Sequence, residues 1–146
     1  FSEKEVRPQG RHTMGVSGIS TPDDDRVVSM VVLEESSTIL TISEGGYGKR
    51  TSIDEYRRTH RGGKGIINMR CTERTGPVIK VMAVRETDDI ILVSATGMVI
   101  RVPAAQIRVI GRSTQGVRLM NLPQGDCVVD AARIPKEEDG ENGLDD

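Results

Sequence analysis

Residues 47–74, YGKRTSIDEYRRTHRGGKGIINMRCTER, carry eight lysines and arginines (Lys49, Arg50, Arg57, Arg58, Arg61, Lys64, Arg70 and Arg74) against three acids (Asp54, Glu55 and Glu73). The chemistry such a stretch offers is anion binding. At its centre stands Arg61-Gly62-Gly63-Lys64-Gly65. Glycine enters backbone conformations closed to residues with a Cβ. This turn can therefore aim successive N–H groups at one anion, with Arg61 and Lys64 flanking it. The same five residues also fit a plain tight turn whose lysine sits in water, and the pentapeptide alone leaves both readings open.

Nothing else in the chain is arranged for catalysis. Gly48-Lys49 is followed by Arg50, and Ser43 stands at the first glycine position of a P-loop, so that phosphate motif fails. No Ser/His/Asp set, zinc spacing or concentrated carboxylate pair occurs. His12 and His60 lie far apart without companion ligands, and Cys71 and Cys127 have no CxxC partner. Two idle thiols in a reducing cytosol are expected rather than a disulfide. The expectation is no catalytic residue, no metal site and no cofactor.

The elements that must position the basic stretch are read from composition and repetition. The 146 residues fit one ordinary domain. Of 20 basic and 22 acidic side chains, residues 136–146 hold one lysine and six acids, which leaves 19 against 16 in residues 1–135. A weakly basic body (+3) thus precedes an acidic tail (−5), and the tail is expected to be disordered. Phe1, Tyr47 and Tyr56 are the only aromatics, which argues against base stacking on an aromatic platform. No apolar run approaches the ~20 residues of a membrane span. The start, FSEKEVRPQG, has neither a signal-peptide pattern nor an initiator Met, as expected of an excised piece.

The chain repeats itself. Arg11-x-x-x-Gly15-Val16, Arg61-x-x-x-Gly65-Ile66 and Arg112-x-x-x-Gly116-Val117 share one spacing, with the arginines 50 and 51 residues apart. The run ILTIS at 39–43, with Gly46 and Arg50, matches IILVS at 90–94, with Gly97 and Arg101. A third apolar run follows each motif, at 27–32, 78–84 and 127–131. These runs are short, β-branched and bounded by Gly, Pro, Asp or Ser clusters, so they read as strands. Residues 44–46 and 95–97 read as hairpin turns. Only 52–58 and 103–107 look helical, each for about one turn. The fold class expected is all-β: a propeller-like repeat of four-stranded blades, about three of them, over residues 1–135.

Comparing the copies separates scaffold from special function. The arginine, the glycine four residues on and the β-branched residue after it recur, and read as needs of the blade. Gly62, Gly63 and Lys64 do not recur: their counterparts are His12-Thr13-Met14 and Ser113-Thr114-Gln115. Lys49 likewise faces Ile100, while Arg50 faces Arg101. The comparison favours the anion-binding turn over the plain one.

Gly46-Tyr47-Gly48-Lys49-Arg50-Thr51, Asp54-Glu55-Tyr56-Arg57 and Arg61-Gly62-Gly63-Lys64-Gly65 closely resemble the C-terminal domains of bacterial DNA gyrase A proteins. So do Val6-Arg7-Pro8-Gln9-Gly10-Arg11 and the stretch from Ile107 through Arg112-Ser113-Thr114-Gln115-Gly116-Val117 to Leu119. The resemblance runs in order over residues 1–134. It implies a β-pinwheel whose blades exchange strands, around which duplex DNA wraps so that the enzyme introduces negative supercoils. It implies partners too: double-stranded DNA, the rest of gyrase A, and gyrase B in an A2B2 assembly of the bacterial cytoplasm and nucleoid. ATP and Mg2+ would belong to other parts of that type II topoisomerase, as would its cleaving tyrosine. The chain departs from the family at Thr59 and His60, where the signature box has Gln and Arg, so residues 61–65 look like a degenerate box of a later blade.

The DNA-contacting set expected on this resemblance is Lys49, Arg50, Arg61, Gly62, Gly63, Lys64, Gly65, Arg101, Arg112 and Arg118, with Arg11, Arg57, Arg58, Arg70 and Arg74 behind them. Wrapping needs many phosphate contacts and few base contacts. The alternatives are the corresponding domain of topoisomerase IV, and a propeller-like protein-interaction module exposing an apolar patch instead of a basic rim.

Overall fold

The computed structural model describes residues 1–136. The acidic tail expected at 136–146 lies, but for Lys136, outside the described residues. Among the described residues seven strands form: β1 (Thr38–Ser43), β2 (Tyr47–Ser52), β3 (Val78–Val84), β4 (Asp89–Ser94), β5 (Val99–Pro103), β6 (Val117–Arg118) and β7 (Val128–Ile134). The expected helical pieces shrink to single 3-10 turns, Ile53–Glu55 and Ala104–Gln106. A third, Glu3–Glu5, sits at the same place in the first copy. Among the described residues no helix is long and apolar enough to cross a membrane.

Each hairpin follows from its turn. Three residues close the chain between β1 and β2 and four between β4 and β5, and in both turns the third has positive φ: Gly46 at +83° and Gly97 at +91°. Hairpin turns this short take a left-handed residue at such a position. The Gly46 and Gly97 N–H groups donate to Ser43 and Ser94 carbonyls at 3.1 Å in both copies. β1 then pairs β2 on one side and β3 on the other, just as β4 pairs β5 and β7.

The two sheets differ in one strand. The first has the order β3-β1-β2-β6, the second β5-β4-β7. β6 comes from the third copy of the repeat and completes the sheet of the second, pairing Arg118 with Tyr47 and Val117 with Gly48. Gly48 and Gly116 make this exchange possible. A Cβ on Gly116 would lie 2.5 Å from the Gly48 carbonyl oxygen, and one on Gly48 would lie 2.5 Å from Leu119 Cδ1.

One apolar cluster joins both sheets: Leu40 and Ile42 of β1, Val84 of β3, Ile90 and Leu92 of β4, Val128 and Ala131 of β7, with Ala104, Ile107 and Met120 from the connecting loop. Each fully buried Leu or Ile here stabilises the fold by roughly 1.5–3 kcal/mol.

The first copy supplies its connecting loop but no sheet. Its apolar run at 27–32, expected as a strand, has no hairpin within residues 1–37 to pair with, and Val27, Met30 and Val32 stay exposed. It is held beside β3 by the Ser29 hydroxyl, which donates to the Val81 carbonyl at 2.9 Å.

Candidate nucleic-acid interface

In the second and third copies the arginine of the R-x-x-x-G motif is a fastener to the preceding copy. Arg61 Nη1 donates to the Ser17 carbonyl at 3.2 Å, and Arg112 Nη1 donates to the Ile67 carbonyl at 2.9 Å. Both acceptors lie two residues past the motif glycine of the preceding copy. Backbone bonds repeat the same way. Gly62 N–H meets Gly18 O at 2.7 Å and Ser113 N–H meets Asn68 O at 3.0 Å, so successive loops stack in register. Gly15, Gly65 and Gly116 all have φ near +77°. The recurring residues are therefore scaffold, as the comparison of copies suggests.

Lys49 and Arg50, expected on the rim, are not there. Lys49 is wholly buried (0% exposed), and its ammonium donates to the Asn68 carbonyl at 2.6 Å, the Gly111 carbonyl at 2.9 Å and the Thr114 hydroxyl at 3.2 Å. Burial, and then the nearby Arg112 charge, lowers its pKa from the ordinary lysine value. A buried ammonium survives only when its donors are used, and here they join the loops of the second and third copies. Tyr56 and Asn68, mutually hydrogen-bonded, line the same junction, and burial raises the Tyr56 pKa. Arg50 is buried too. Its Nε donates to the Ile107 carbonyl at 2.8 Å, and its Nη2 reaches Glu86 at 3.3 Å.

Two further members of the expected set are exposed but engaged. Arg101 pairs with Asp89 at 2.6 Å, and Arg118 donates to the Tyr47 hydroxyl at 3.0 Å with its guanidinium 5.5 Å above the ring.

The central turn fares differently. Gly62 and Gly65 have φ of +76° and +77°, and Gly63 and Lys64 are exposed. Arg61 N–H donates to the Glu5 carboxylate at 3.0 Å, which is the main cause of the lowered Glu5 pKa. The N–H groups of Gly63, Lys64 and Gly65 make no hydrogen bond among the described residues. An open pocket of about 420 Å3 lies against the turn, lined by Arg57, Thr59, His60, Arg61 and Lys64 and, among the described residues, by no acid. Three backbone N–H groups without a partner among the described residues, with Arg57, Arg61 and Lys64, thus line one concavity, an arrangement with the chemistry to take an anion.

Arg11, Arg57, Arg58, Lys64, Arg70 and Arg74 are exposed, and their side chains form no hydrogen bond or ion pair among the described residues. The expected set omits two residues of the same kind: Arg7 and Arg108, also exposed and without a side-chain partner among the described residues. Their signal is the spacing R-x-x-x-R-x-x-x-G, which holds for Arg7/Arg11, Arg57/Arg61 and Arg108/Arg112. In each copy the first arginine follows the 3-10 turn by two residues. In the second and third copies the second arginine binds the preceding loop. One arginine of the pair holds the array together while the other is left outward.

A family model described as "DNA gyrase C-terminal domain, beta-propeller" matches residues 1–34, 37–85 and 88–135, one stretch for each copy of the repeat. The chain is 38% identical to the DNA gyrase A protein of Chlamydia pneumoniae over 145 residues, covering 99% of this chain and 17% of that protein. A solved DNA gyrase A C-terminal domain superposes with a TM-score of 0.83 at 29% identity, covering 90% of this chain and 45% of that one. A topoisomerase IV C-terminal domain superposes with a TM-score of 0.84 at 19% identity, covering 91% and 42%, a likeness of fold. The chain therefore spans about a sixth of the curated relatives' length and less than half of the solved domains.

Proposed function

The chain belongs to the DNA gyrase C-terminal domain family of β-propellers, and from that premise we propose that it holds duplex DNA along its exposed arginines as part of a gyrase A protein. The observation that carries this reading is the series Arg7, Arg57 and Arg108, one exposed arginine at the same place in each copy with no side-chain partner among the described residues. Arg58, Lys64, Arg70 and Arg74 add to it on the middle copy. Phosphates repeat along a duplex without regard to sequence, and a cation repeated once per blade suits them.

Bending a duplex costs energy that added contacts along the path offset. A stacked array of blades provides such a path. The turn at 61–65 contributes N–H donors as well as charge, and clamps one phosphate where the others are only neutralised. In the whole enzyme this wrapping presents a crossover to a strand-passing core, and ATP-dependent negative supercoiling follows. The rest of gyrase A and gyrase B, in an A2B2 assembly at the bacterial nucleoid, supply that core together with ATP and Mg2+.

The test is duplex binding at several salt concentrations, followed by ligation of a relaxed circle with the chain bound. Affinity is expected to fall with log[salt] at a slope of about −0.9 per phosphate neutralised, and the ligated circles to shift toward positive crossings. Affinity independent of salt overturns the reading. The topoisomerase IV domain shares this fold, so the separating observation is supercoiling by a gyrase A protein carrying this segment in place of its own.

A further inference from the structure

The pocket beside the glycine turn holds one histidine, His60, the side-chain type whose charge changes near neutral pH. Its counterparts are Gly10 and Gly111, so only the middle copy places a side chain just before the motif arginine. The blade does not need that side chain. The imidazole is 97% exposed and belongs to no part of the apolar cluster.

One nitrogen of the ring already faces an anion. His60 Nδ1 lies 3.5 Å from Glu5 Oε1. Glu5 comes from the loop of the preceding copy and is anchored there. Its Oε2 accepts the Arg61 N–H at 3.0 Å, and its backbone carbonyl accepts Arg61 Nε at 3.1 Å. The Arg61 N–H bond holds the Glu5 carboxyl below the ordinary glutamate range, so Glu5 stays an anion wherever an imidazole titrates. The remaining charged groups around the ring are cations, Arg57, Arg61 and Lys64, and Nε2 makes no hydrogen bond among the described residues.

These positions set a proton count. A neutral imidazole has one N–H to donate and an imidazolium has two. An anion entering the pocket leaves the ring between that anion and Glu5. A ring that donates to an anion on each side must carry both protons, and the added negative charge itself favours the charged form. The lysines and arginines of the outward series are charged throughout, and meet a phosphate without taking up a proton.

Resting on the DNA reading above, we propose that His60 bridges the Glu5 carboxylate and a phosphate of bound duplex as an imidazolium, so that binding takes up a proton at this one contact. The complex holds a proton that the free chain releases as pH rises. Duplex affinity is therefore highest on the acid side and falls as pH rises through neutrality. Copies with glycine at this place have no such dependence.

Titration calorimetry of the 146-residue chain with a short duplex, in two buffers of different ionisation enthalpy, counts the protons. Net uptake is expected near neutral pH, with binding about threefold to tenfold tighter at about pH 6 than at about pH 8. His60→Gln is expected to bind equally at the two pH values to within about twofold, and His60→Arg likewise but more tightly than His60→Gln. Glu5→Gln, which removes the second anion, is expected to shrink the wild-type ratio to about twofold or less. Imidazole proton resonances follow the ring without any substitution, which keeps the test open should a variant misfold. The titration midpoint of His60 is expected to rise on adding duplex by more than that of His12, the other histidine. Duplex binding without proton uptake overturns the proposal and leaves the DNA reading standing. So does a His60→Gln or Glu5→Gln chain that keeps the wild-type pH dependence, or a His60 midpoint that moves no more than that of His12. Absence of salt-dependent duplex binding at either pH overturns both.

Discussion

Lys49 and Lys64 stand fifteen residues apart in the same copy of the repeat, in one basic stretch, and they do opposite things. Lys49 is sealed inside the junction of two loops with its donors committed to Asn68, Gly111 and Thr114. Lys64 projects from a glycine turn into solvent with no partner among the described residues. The same contrast separates Arg112 from Arg108 and Arg61 from Arg57. A basic stretch is thus two populations: cations used inward on carbonyls, whose loss is expected to destabilise the array, and cations left outward, whose loss is expected to leave the fold alone.

That division can be broken most sharply at Lys49. Lys49→Met removes the donors of a buried ammonium from two carbonyls and a hydroxyl, and is expected to destabilise the domain by roughly 3 kcal/mol. Reversible urea unfolding measures this. Equal stability of the variant and the wild type would place Lys49 with the outward set.

The next effect compares equivalent glycines. Gly116→Ala meets the Gly48 carbonyl oxygen at 2.5 Å in addition to its φ of +76°, whereas Gly65→Ala at +77° has nothing nearer than Ile19 Cδ1 at 3.7 Å. The first is expected to cost more than about 2 kcal/mol, and the second about 1 kcal/mol from backbone strain alone. Midpoints of thermal unfolding should rank wild type, then Gly65→Ala, then Gly116→Ala; equal midpoints for the two variants would mean that the close approach at Gly48 is not strained.

Lys64→Ala is the converse experiment. Its stability should stay within about 0.5 kcal/mol of wild type. Its duplex affinity should fall, and the salt slope should shrink by about 0.9, one phosphate's worth. An unchanged slope removes Lys64 from the interface.

The smallest effect is a pH dependence. The folded-state pKa of Lys49 lies below the ordinary 10.5, so between the two values the unfolded chain binds more protons. Stability relative to Lys49→Met therefore rises with pH in that alkaline window and is flat below it. Unfolding midpoints of both chains on the alkaline side of neutrality measure the difference, and parallel curves would show that the junction tolerates the charge without strain.

The sheets, turns and repeat are legible in the sequence because they are local: β-branched runs with glycine at the turn closures. The interior place of Lys49 is not, since it is made by residues 68, 111 and 114, contributed by loops far along the chain. One signal does exist. The counterpart of Lys49 is Ile100, and an apolar counterpart marks an inward position. What looks like a gain of rim charge is a core position refilled with an ammonium. Arg7 and Arg108 are equally legible once the nine-residue spacing is counted from its first arginine rather than its second. The strand expected at 27–32 does not form because residues 1–37 hold no hairpin for it to pair with.

The seating of β6 on β2 also governs the order in which the molecule is assembled. The Tyr47–Arg118 pair spans 71 residues, so the middle sheet cannot be finished from its own repeat. On the ribosome β1, β2 and β3 emerge first with one edge unfilled, and that edge stays open until residue 118 leaves the exit tunnel. Loop closures of this length are slow and leave strand edges exposed while they wait. The middle blade is thus a borrower during synthesis, and a chain stopped before residue 117 leaves it unfinished.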